Sequence, residues 1–487
     1  MKRVSSTAIT SALLIFAAAF TFSGGSARAE LPSPRPAGPW SDVHELLSSA
    51  APGSVVELPA GAFDFDLVVE VRGNETHPVT VVGQGSKTVF PSAWVVGQFV
   101  SLENVTIRTP YGRKVSGVRV RDSLNVTLKN LVVSGGAGSG VVIGRNCTNV
   151  TVTGCEVFDR NALEVWYWNA YAYFAMGEVS VLAFVWLVRK RKSVGRKRSL
   201  ALGLAFAFFV AASLHVNPEG YPFNYHPGLD AHGIAVTGGA SSVWIVGNEA
   251  WGCSGDALQV INPPSGDVPV ARDVHVVNNT FYGCRENAID VKDADGVYVH
   301  HNDLQGSRVS PTYDNGVVVV FHFSYSLVEF HHNRVSHGVV GLSVATLTRG
   351  TGFVRGFPSW GIRVFNNTFW DINQERTPFA FTTTAAVALR NVKDVEVVGN
   401  RWGDDVTNWL LVRNVSDSEL SEAWNVEEAS LGDAAPPARG LYPQVQEWLL
   451  VSGEMAMLYL GVPGLAACLF VLARSLRQRP GVRGLRR

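Results

Sequence analysis

The stretch that decides the fold runs from Val243 to Asn302 and repeats one hexapeptide three times, as VWIVGN at 243–248, VHVVNN at 274–279 and VYVHHN at 297–302. In each copy apolar residues alternate with other residues, which is typical of a β-strand with one buried face. An asparagine ends each copy. The pattern predicts a short strand and a turn in every repeat, and it contains no helical period.

The repeat continues on both sides of this stretch. Asn333, Asn367 and Asn400 each follow an apolar residue by five positions. From Asn248 onward, consecutive asparagines of this series lie 31, 23, 31, 34 and 33 residues apart. Similar strands without the asparagine recur upstream, at 105–107, 126–128 and 150–152. A unit of this length cannot bury its own apolar face, so we expect neighbouring units to stack around apolar columns, with an asparagine ladder along one turn.

Stacked short coils of this kind are the sequence signature of a parallel β-helix. Residues 52–416 resemble the right-handed pectate-lyase-like superfamily, through the repeated strands and through PGSVVELPAG at 52–61, which is similar to a first coil. Residues 40–50, with Asp42 and Glu45 placed as a capping box, predict a short amphipathic helix. That helix would cover the open end of the stack.

The composition adds a second expectation, which concerns membranes. The 487 residues include 41 basic and 41 acidic ones, but charged residues make up 17% of the chain, against about 25% in average soluble domains. With a mean hydropathy of +0.12, this shortage indicates membrane-embedded stretches and excludes wholesale disorder. The five cysteines have no ligand spacing, which excludes a zinc ribbon or a disulfide scaffold.

The apolar and basic segments predict a topology. Residues 1–29 resemble a secretory signal, and an uncleaved anchor is the alternative. Apolar runs in 166–216 and at 447–473 reach or approach the ~20 residues that span a bilayer core. The basic segments 189–198 and 474–487 would be cytoplasmic, since basic residues flank membrane spans on that side.

The predicted fold class is therefore all-β, a right-handed parallel β-helix solenoid with an inserted transmembrane helical hairpin and a C-terminal transmembrane helix. The predicted segments are a signal peptide (1–29), an N-terminal cap (30–51), the first part of the β-helix (52–165), the hairpin (166–216) with its basic loop (189–198), the second part of the β-helix (217–416), an acidic tail and linker (417–446), the transmembrane helix (447–473) and a basic tail (474–487). The protein would be membrane-anchored, with the solenoid on the extracytoplasmic side, periplasmic or at the cell surface.

The two parts of the β-helix are expected to be continuous through the hairpin. RNALEV at 160–165 matches ENAIDV at 286–291, so a coil begins before the insertion, and strand pairing resumes near 233–236. The lipid bilayer, and a membrane protein docked on the hairpin, are the partners that this topology implies.

Charge is segregated along the chain. Sixteen of the 41 basic residues lie in the signal, the hairpin loop and the C-terminal tail, which contain no acids. The exported part is therefore acidic, which excludes nucleic acid as a partner. It also opposes tight binding of a polyanion unless a bound cation or a local basic strip intervenes.

Aligned repeats bring several chemically able side chains to one face. If Leu258, Val260, Ile289 and Val291 point inward, alternation turns the residues between and after them outward. The candidate catalytic residues are Lys292, Asp290, Asp256 and His232, and the candidate substrate-binding residues are Gln259, Asn287, Glu286 and His322. Lys292 or His232 would accept a proton while Asp256 or Asp290 tunes its pKa. The alternative is that these are ordinary polar strand positions and turn caps.

Two enzyme families resemble this face locally. The Val291-Lys292 strand is similar to the lysine-bearing strand of polysaccharide lyase family six, and the resemblance implies Lys292 as the base of a β-elimination. Phe321 falls where that family has an arginine, and His322 could replace it. Asp230-Ala231-His232 more faintly resembles the Asp-x-His signature of mannuronan epimerases. The paired aspartates of polygalacturonases are missing, which argues against hydrolysis by that route.

Histidines and cysteines form further sets. Six histidines lie between His300 and His337, and repeats align His300 with His331 and His301 with His332. Stacked imidazoles could bind a transition metal or serve as an aromatic-like ladder, and we favour the ladder. Cys253 and Cys284 align on neighbouring coils, as a disulfide or as a reduced ladder.

The sequence thus predicts a polysaccharide-binding solenoid that modifies its ligand by lyase or epimerase chemistry. The alternative is a non-catalytic carbohydrate-binding or scaffold module of an envelope or polysaccharide-export complex. Neither function requires a cofactor, and a divalent cation such as calcium is compatible with both.

Overall fold

The computed structural model describes residues 40–110, 113–160, 230–261, 269–306, 316–346, 359–373, 384–415 and 420–428. Within them the chain winds into a solenoid in which every strand pair with an assigned register is parallel. Each coil contributes a strand to the first sheet, then to the second and then to the third. Helix α1, Trp40–Ser48, precedes the first coil and buries Val43 and Leu47 against the core, as the sequence predicted.

The strands fall into three sheets. The first contains β3 (Leu67–Val69), β5 (Ala93–Val95), β7 (Val118–Val120), β10 (Val141–Ile143), β13 (Ile234–Thr237), β16 (Leu258–Ile261), the start of β19 (Ile289–His300), the start of β21 (Val317–His331), β23 (Val340–Ala345), β26 (Ala385–Arg390) and β29 (Leu410–Arg413). The second contains β1 (Val55–Glu57), the starts of β4 (Val79–Phe90) and β6 (Gln98–Thr109), β8 (Leu124–Lys129), β11 (Thr148–Thr153), β14 (Ser241–Val246), β17 (Ala271–Val277), the ends of β19 and β21, β24 (Ser359–Phe365), β27 (Val392–Val398) and β30 (Leu420–Ala423). The third contains β2 (Gly61–Ala62), the ends of β4 and β6, β9 (Val132–Gly135), β12 (Glu156–Phe158), β15 (Glu249–Trp251), β18 (Thr280–Tyr282), β20 (Asp303–Gln305), β22 (Arg334–Gly338), β25 (Thr368–Ile372), β28 (Arg401–Gly403) and β31 (Val426–Glu428).

The core consists of apolar columns that run through the coils. Val274 pairs with Val297 and Val297 with Val328, and all three side chains are buried. Because side chains alternate along a strand, every second residue enters the interior, and the register repeats that residue in the next coil. The predicted inward columns are confirmed.

An asparagine ladder lines the corner between the second and third sheets. The side-chain amide of Asn333 donates to Oδ1 of Asn367 (3.1 Å), and Asn302 donates to Oδ1 of Asn333 (2.9 Å). The same bonds link the whole set, Asn248, Asn279, Asn302, Asn333, Asn367, Asn400 and Asn425. The predicted ladder is confirmed, and Asn425 extends it by one coil. In an earlier coil Cys155 takes the ladder position, and its amide donates to Oδ1 of Asn248.

The solenoid is continuous across residues 161–229. Val141 of β10 pairs with Ile234 of β13, and Val150 of β11 pairs with Val243 of β14. The coil before this long insertion therefore stacks directly on the coil after it, as predicted.

The predicted fold class needs a correction. It added a transmembrane hairpin and a C-terminal transmembrane helix to the solenoid, whereas the described residues contain one helix, α1, and no helix long and apolar enough to cross a membrane. The segments 166–216 and 447–473 lie outside the described residues. Part of the apolar excess that suggested membrane spans belongs to the solenoid itself, because its buried columns require an apolar residue at every second strand position.

Strand pairing also extends beyond residue 416. β30 pairs with β27 and β31 pairs with β28, inside the segment 417–446 that the sequence suggested as an acidic tail and linker. The solenoid thus includes part of this acidic segment.

Candidate functional site

The candidate site lies where each coil turns from the third sheet into the first. His232, Asp256 and Asn287 occupy this turn in three successive coils, because β13, β16 and β19 pair in register. Immediately after the turn, Gln259 pairs with Asp290 on the outer face of the first sheet. The structure therefore brings these predicted residues together.

Hydrogen bonds join the turn residues into one network. The backbone amide of Asp256 donates to Nδ1 of His232 (3.0 Å), so this nitrogen carries no proton. Oδ2 of Asp256 lies 3.1 Å from the same nitrogen and accepts from the Gln259 amide (3.2 Å), while Oδ1 accepts from the backbone N–H of Asn287 (3.0 Å). The side-chain amide of Asn287 donates to the carbonyl of Val317 (2.6 Å).

Close packing holds His232 in this position. A Cβ on Gly255 would lie 2.5 Å from Nδ1 of His232 and 2.8 Å from its Cε1, so only glycine leaves room for the ring. The hydroxyl of Ser254 accepts a hydrogen bond from the Ala231 amide (3.2 Å) on the neighbouring coil. The turn is thus built around the imidazole.

Burial determines the protonation states in this network. The Asp256 side chain is fully buried, and its burial, reinforced by the nearby charge of Asp290, raises its pKa well above the ordinary value. Burial also lowers the pKa of His232. Both shifts favour the neutral forms, so the Asp256 carboxyl does not hold a negative charge against the lone pair of Nδ1.

A second group of charges borders the network. Nη2 of Arg285 lies 2.6 Å from Oδ1 of Asp230 and 3.0 Å from Oε1 of Glu286, and Nε donates to the carbonyl of Ser254. Burial raises the pKa of Asp230, and burial together with the charge of Asp230 raises the pKa of Glu286 well above its usual range. Arg285 therefore bridges two carboxyl groups that would otherwise repel each other.

Lys292 and Asp290 form the outer part of the site. Nζ of Lys292 lies 2.5 Å from Oδ2 of Asp290. The other oxygen of Asp290, Oδ1, is buried and accepts no hydrogen bond from the described residues. The lysine side chain is 24% exposed and the aspartate 1%, so the ion pair presents its cation to solvent.

Lys292 belongs to a basic column that sequence reasoning missed as a unit. Lys292 pairs with His322, His322 with Ala345, Ala345 with Arg390 and Arg390 with Arg413. Four of these five positions in consecutive coils are basic or imidazole side chains, and none is acidic. We call Lys292, His322, Arg390 and Arg413 the basic column.

Of the eight predicted site residues, seven lie in or beside the buried network, and His322 lies one coil beyond Lys292. Nε2 of His322 is 3.5 Å from the Ser343 hydroxyl. Phe321, which the sequence placed where a lyase arginine would fall, pairs with Val291 and points into the core, so His322 is the neighbour of Lys292.

Cysteine and metal chemistry were also considered from the sequence. Cys147, Cys155, Cys253 and Cys284 are buried free thiols, and burial raises the pKa of Cys155 to about 12. Within the parts of the chain that the structure describes, no three His, Cys, Asp or Glu side chains surround a common metal position. A calcium requirement stays a prediction.

Comparisons with known proteins agree on the fold. The family described as "Right handed beta helix region" matches residues 222–345, and the solenoid is a right-handed parallel β-helix, as predicted. No curated protein sequence matches the chain significantly.

Several solved structures are similar to this chain. The A-module of the Azotobacter vinelandii mannuronan C-5 epimerase AlgE6 is 13% identical, with 82% of this chain and 94% of that chain covered and a TM-score of 0.46. The Streptococcus pneumoniae surface adhesin PfbA is 11% identical (82% and 91% covered, TM-score 0.47). A mannuronic acid specific polysaccharide family 6 lyase from human gut microbiota is 10% identical (80% and 90% covered, TM-score 0.43). At these identities the likeness concerns the fold alone.

Proposed function

We propose that this protein binds an acidic, uronate-containing polysaccharide along the basic column and transfers protons to and from it at Lys292 and His322. The observation that carries the proposal is the alignment of these two side chains on neighbouring coils, beside a buried carboxyl network. The products would be those of a lyase or an epimerase.

The basic column resolves the electrostatic objection to a polyanion. Outside residues 1–29, 189–198 and 474–487 the chain is acidic overall, but the column from Lys292 to Arg413 contains no acidic residue. Its four coil steps, at ~4.8 Å each, span ~19 Å and could contact several successive sugars. Local potential, more than net charge, governs where an anion binds.

The proton transfers follow from where the groups lie. One of Lys292 and His322 would remove the proton α to the uronate carboxyl, and the electron pair would form a C4=C5 double bond as the C4–O bond breaks. The other would protonate the departing glycosidic oxygen. If the proton is instead returned to the opposite face of the same carbon, the product is the epimer.

The buried network would position these groups. Asp290 fixes Lys292 through the ion pair and leaves the more exposed ammonium group facing the ligand. Asp256 and His232, predicted as catalytic, lie behind Asp290, where they would set its electrostatic surroundings. Glu286 is the most exposed of the remaining predicted binding residues and would contact the ligand, whereas Gln259 and Asn287 hold Asp256.

The non-catalytic alternative has its own supporting observation. Asp256 and Asn287 are fully engaged with backbone and side-chain partners inside the protein, as structural polar groups are. In that case the basic column would bind a polysaccharide without chemical change.

The test uses the purified full-length chain with alginate, pectate and chondroitin, and with a neutral glucan as the ligand control. Calorimetry would measure binding, and the ultraviolet absorbance of unsaturated uronates or NMR of the sugar would measure product. The variants are Lys292→Met, His322→Gln and the double variant Arg390→Gln/Arg413→Gln. Arg401→Gln, on the exposed face of the third sheet, is the matched control.

We expect one acidic polysaccharide to bind, with the arginine double variant binding it ~10-fold more weakly, which corresponds to roughly 1.4 kcal/mol. Lys292→Met and His322→Gln should abolish product while changing affinity by less than about threefold, and Arg401→Gln should behave as wild type. Binding without product would support the non-catalytic alternative. Failure to bind any acidic glycan, or equal affinity for the neutral one, would refute the polyanion site.

A further inference from the structure

Four histidines form two pairs at the corner between the second and third sheets. His300 and His301 immediately precede Asn302 of the ladder, and His331 and His332 precede Asn333 in the next coil. His300 pairs with His331 in the strand register. The hydrogen-bonded ladder therefore anchors both pairs from the inside of the corner.

The backbone turns the two rings of each pair toward each other. His301 and His332 have φ values of 58° and 54°, in the left-handed region that few residues other than glycine and asparagine adopt. The equivalent residues in flanking coils are Asn278 and Asn366, with φ values of 53° and 54°. Histidine at this corner thus replaces the residue type that the backbone favours.

The nitrogens of each pair face each other closely. Nδ1 of His300 lies 2.9 Å from Nδ1 of His301, and Nδ1 of His331 lies 2.8 Å from Nδ1 of His332. Within each pair the rings are nearly perpendicular, at 83° and 86°. Between coils they stack in parallel, with centroid distances of 4.7 Å for His300–His331 and 5.0 Å for His301–His332.

At these two corner positions, the described coils on either side have no imidazole. In the coil before them, Val277 and Asn278 occupy the two positions, and in the coil after them Phe365 and Asn366 do. Phe365 continues the outer stack on His331, so stacking alone does not require histidine. Both histidines of a pair occur together, which points to a role for the paired nitrogens.

We propose that each pair, His300 with His301 and His331 with His332, is a two-nitrogen chelating site for a first-row transition metal ion, best suited to Cu²⁺. Metal–nitrogen bonds of about 2.0–2.1 Å across nitrogens 2.9 Å apart give an N–metal–N angle of roughly 90°. This is the cis angle of square-planar and tetragonal coordination, which Cu²⁺ and Ni²⁺ prefer. Rotation about the broad χ2 torsion of histidine would aim both lone pairs at the ion.

The corner is open to solvent. His301 and His332 are exposed at the surface, so an ion has access to the corner and solvent can supply the other ligands.

One ion per chain is expected at low metal concentration. Ions in both pairs would lie about one coil spacing apart, ~4.8 Å, and two dications at that distance repel each other. Either pair can hold the first ion, so removing one pair should weaken binding modestly and removing both should abolish it. The corner is separate from the basic column, so this test is independent of the polysaccharide proposal.

The experiment titrates the untagged full-length chain with Cu²⁺, using calorimetry for affinity and electron paramagnetic resonance for the number of coordinated nitrogens. The variants are His301→Asn, His332→Asn and the double variant. Asparagine occupies this position in the flanking coils, so these variants should retain the fold, which circular dichroism would verify. His77→Asn, which alters an exposed histidine far from the corner, is the control.

We expect one Cu²⁺ per wild-type chain with two imidazole nitrogens in the spectrum. Each single variant should weaken binding by about two- to tenfold, and the folded double variant by at least 100-fold, while His77→Asn binds as wild type. Equal copper affinity of the wild type and the folded double variant would overturn the proposal, as would a spectrum with fewer than two imidazole nitrogens.

Discussion

Removal of one interior asparagine from the ladder should destabilise the coils on either side of it. The Asn333 side chain is 1% exposed and makes four hydrogen bonds. It donates to the Val299 carbonyl (2.9 Å) and to Oδ1 of Asn367 (3.1 Å), and its Oδ1 accepts from the backbone N–H (3.1 Å) and the side-chain amide (2.9 Å) of Asn302. Asn333→Ala removes all four hydrogen bonds and leaves the buried N–H of Asn302 without its acceptor.

The magnitude follows from these bonds. At a net contribution of about 1 kcal/mol for each bond, with a further penalty for the stranded donor, the loss should be about 3–5 kcal/mol. Asn425 provides the matched control, since it ends the described ladder, is half-buried and makes three such bonds. Because water can replace them there, Asn425→Ala should cost about 1–2 kcal/mol.

Hydrogen exchange followed by mass spectrometry is the suitable assay, because a solenoid is stabilised mainly between neighbouring coils and need not unfold as one unit. The peptide that contains Asn302 should exchange about 10²–10⁴-fold faster in Asn333→Ala than in the wild type. Peptides from β5 and β7 should be unchanged. Equal effects of the two substitutions, or unchanged exchange at Asn302, would refute the view that the ladder stabilises each coil locally.

Two further predictions concern buried charge. Because burial raises the pKa of Asp256, the wild type should lose stability as pH rises above the ordinary aspartate value of about 4. Asp256→Asn should lack this loss, so its thermal stability should gain on that of the wild type as pH rises, and parallel curves would contradict the prediction. Arg160 is fully buried and donates five hydrogen bonds, to the carbonyls of Val115, Ser134, Gly138 and Ser139 and to the hydroxyl of Thr109. Arg160→Met should therefore lower the free energy of unfolding, measured in urea, by at least about 3 kcal/mol. A loss under about 1 kcal/mol would show that these carbonyls find other partners.

The fold was largely predictable because its determinants are local and periodic. Alternation within VWIVGN and its copies defines the inward residues, and the asparagine marks the corner in each repeat. The sequence also placed the resumption of strand pairing near 233–236, and the pairing of Val141 with Ile234 agrees with it. The transmembrane expectation rested on composition, apolar runs and basic flanks, and it needed correction, since the described residues contain no helix long and apolar enough to cross a membrane.

The site was predictable only in part. Asp256 and Asn287 occupy the same position in consecutive repeats, and Asp290 follows Asn287 by three residues. Alignment of the repeats therefore brought the three residues together. The basic column was not predicted from the sequence, because its members are irregularly spaced and the turns between them differ in length. The spacings are 30, 68 and 23 residues between Lys292, His322, Arg390 and Arg413. The sequence also did not reveal that the histidine nitrogens face each other, because this geometry depends on the left-handed backbone of His301 and His332. Asn278 and Asn366, at the same position in flanking coils, are the residues that could have indicated a left-handed backbone there.

The polar network on the first sheet is not something the solenoid requires. The outward position held by Gln259 and Asp290 is occupied by Val142 and Ala235 in the two preceding coils, and by Val320 in the next. These coils pair as regularly as the others, so an uncharged residue at this position satisfies the fold. Burying Asp256 beside Asp290 instead raises the energy of the charged form of Asp256. This energetic cost of buried charge is confined to two coils, at the point where the basic column begins. It is therefore better explained by ligand chemistry than by stability.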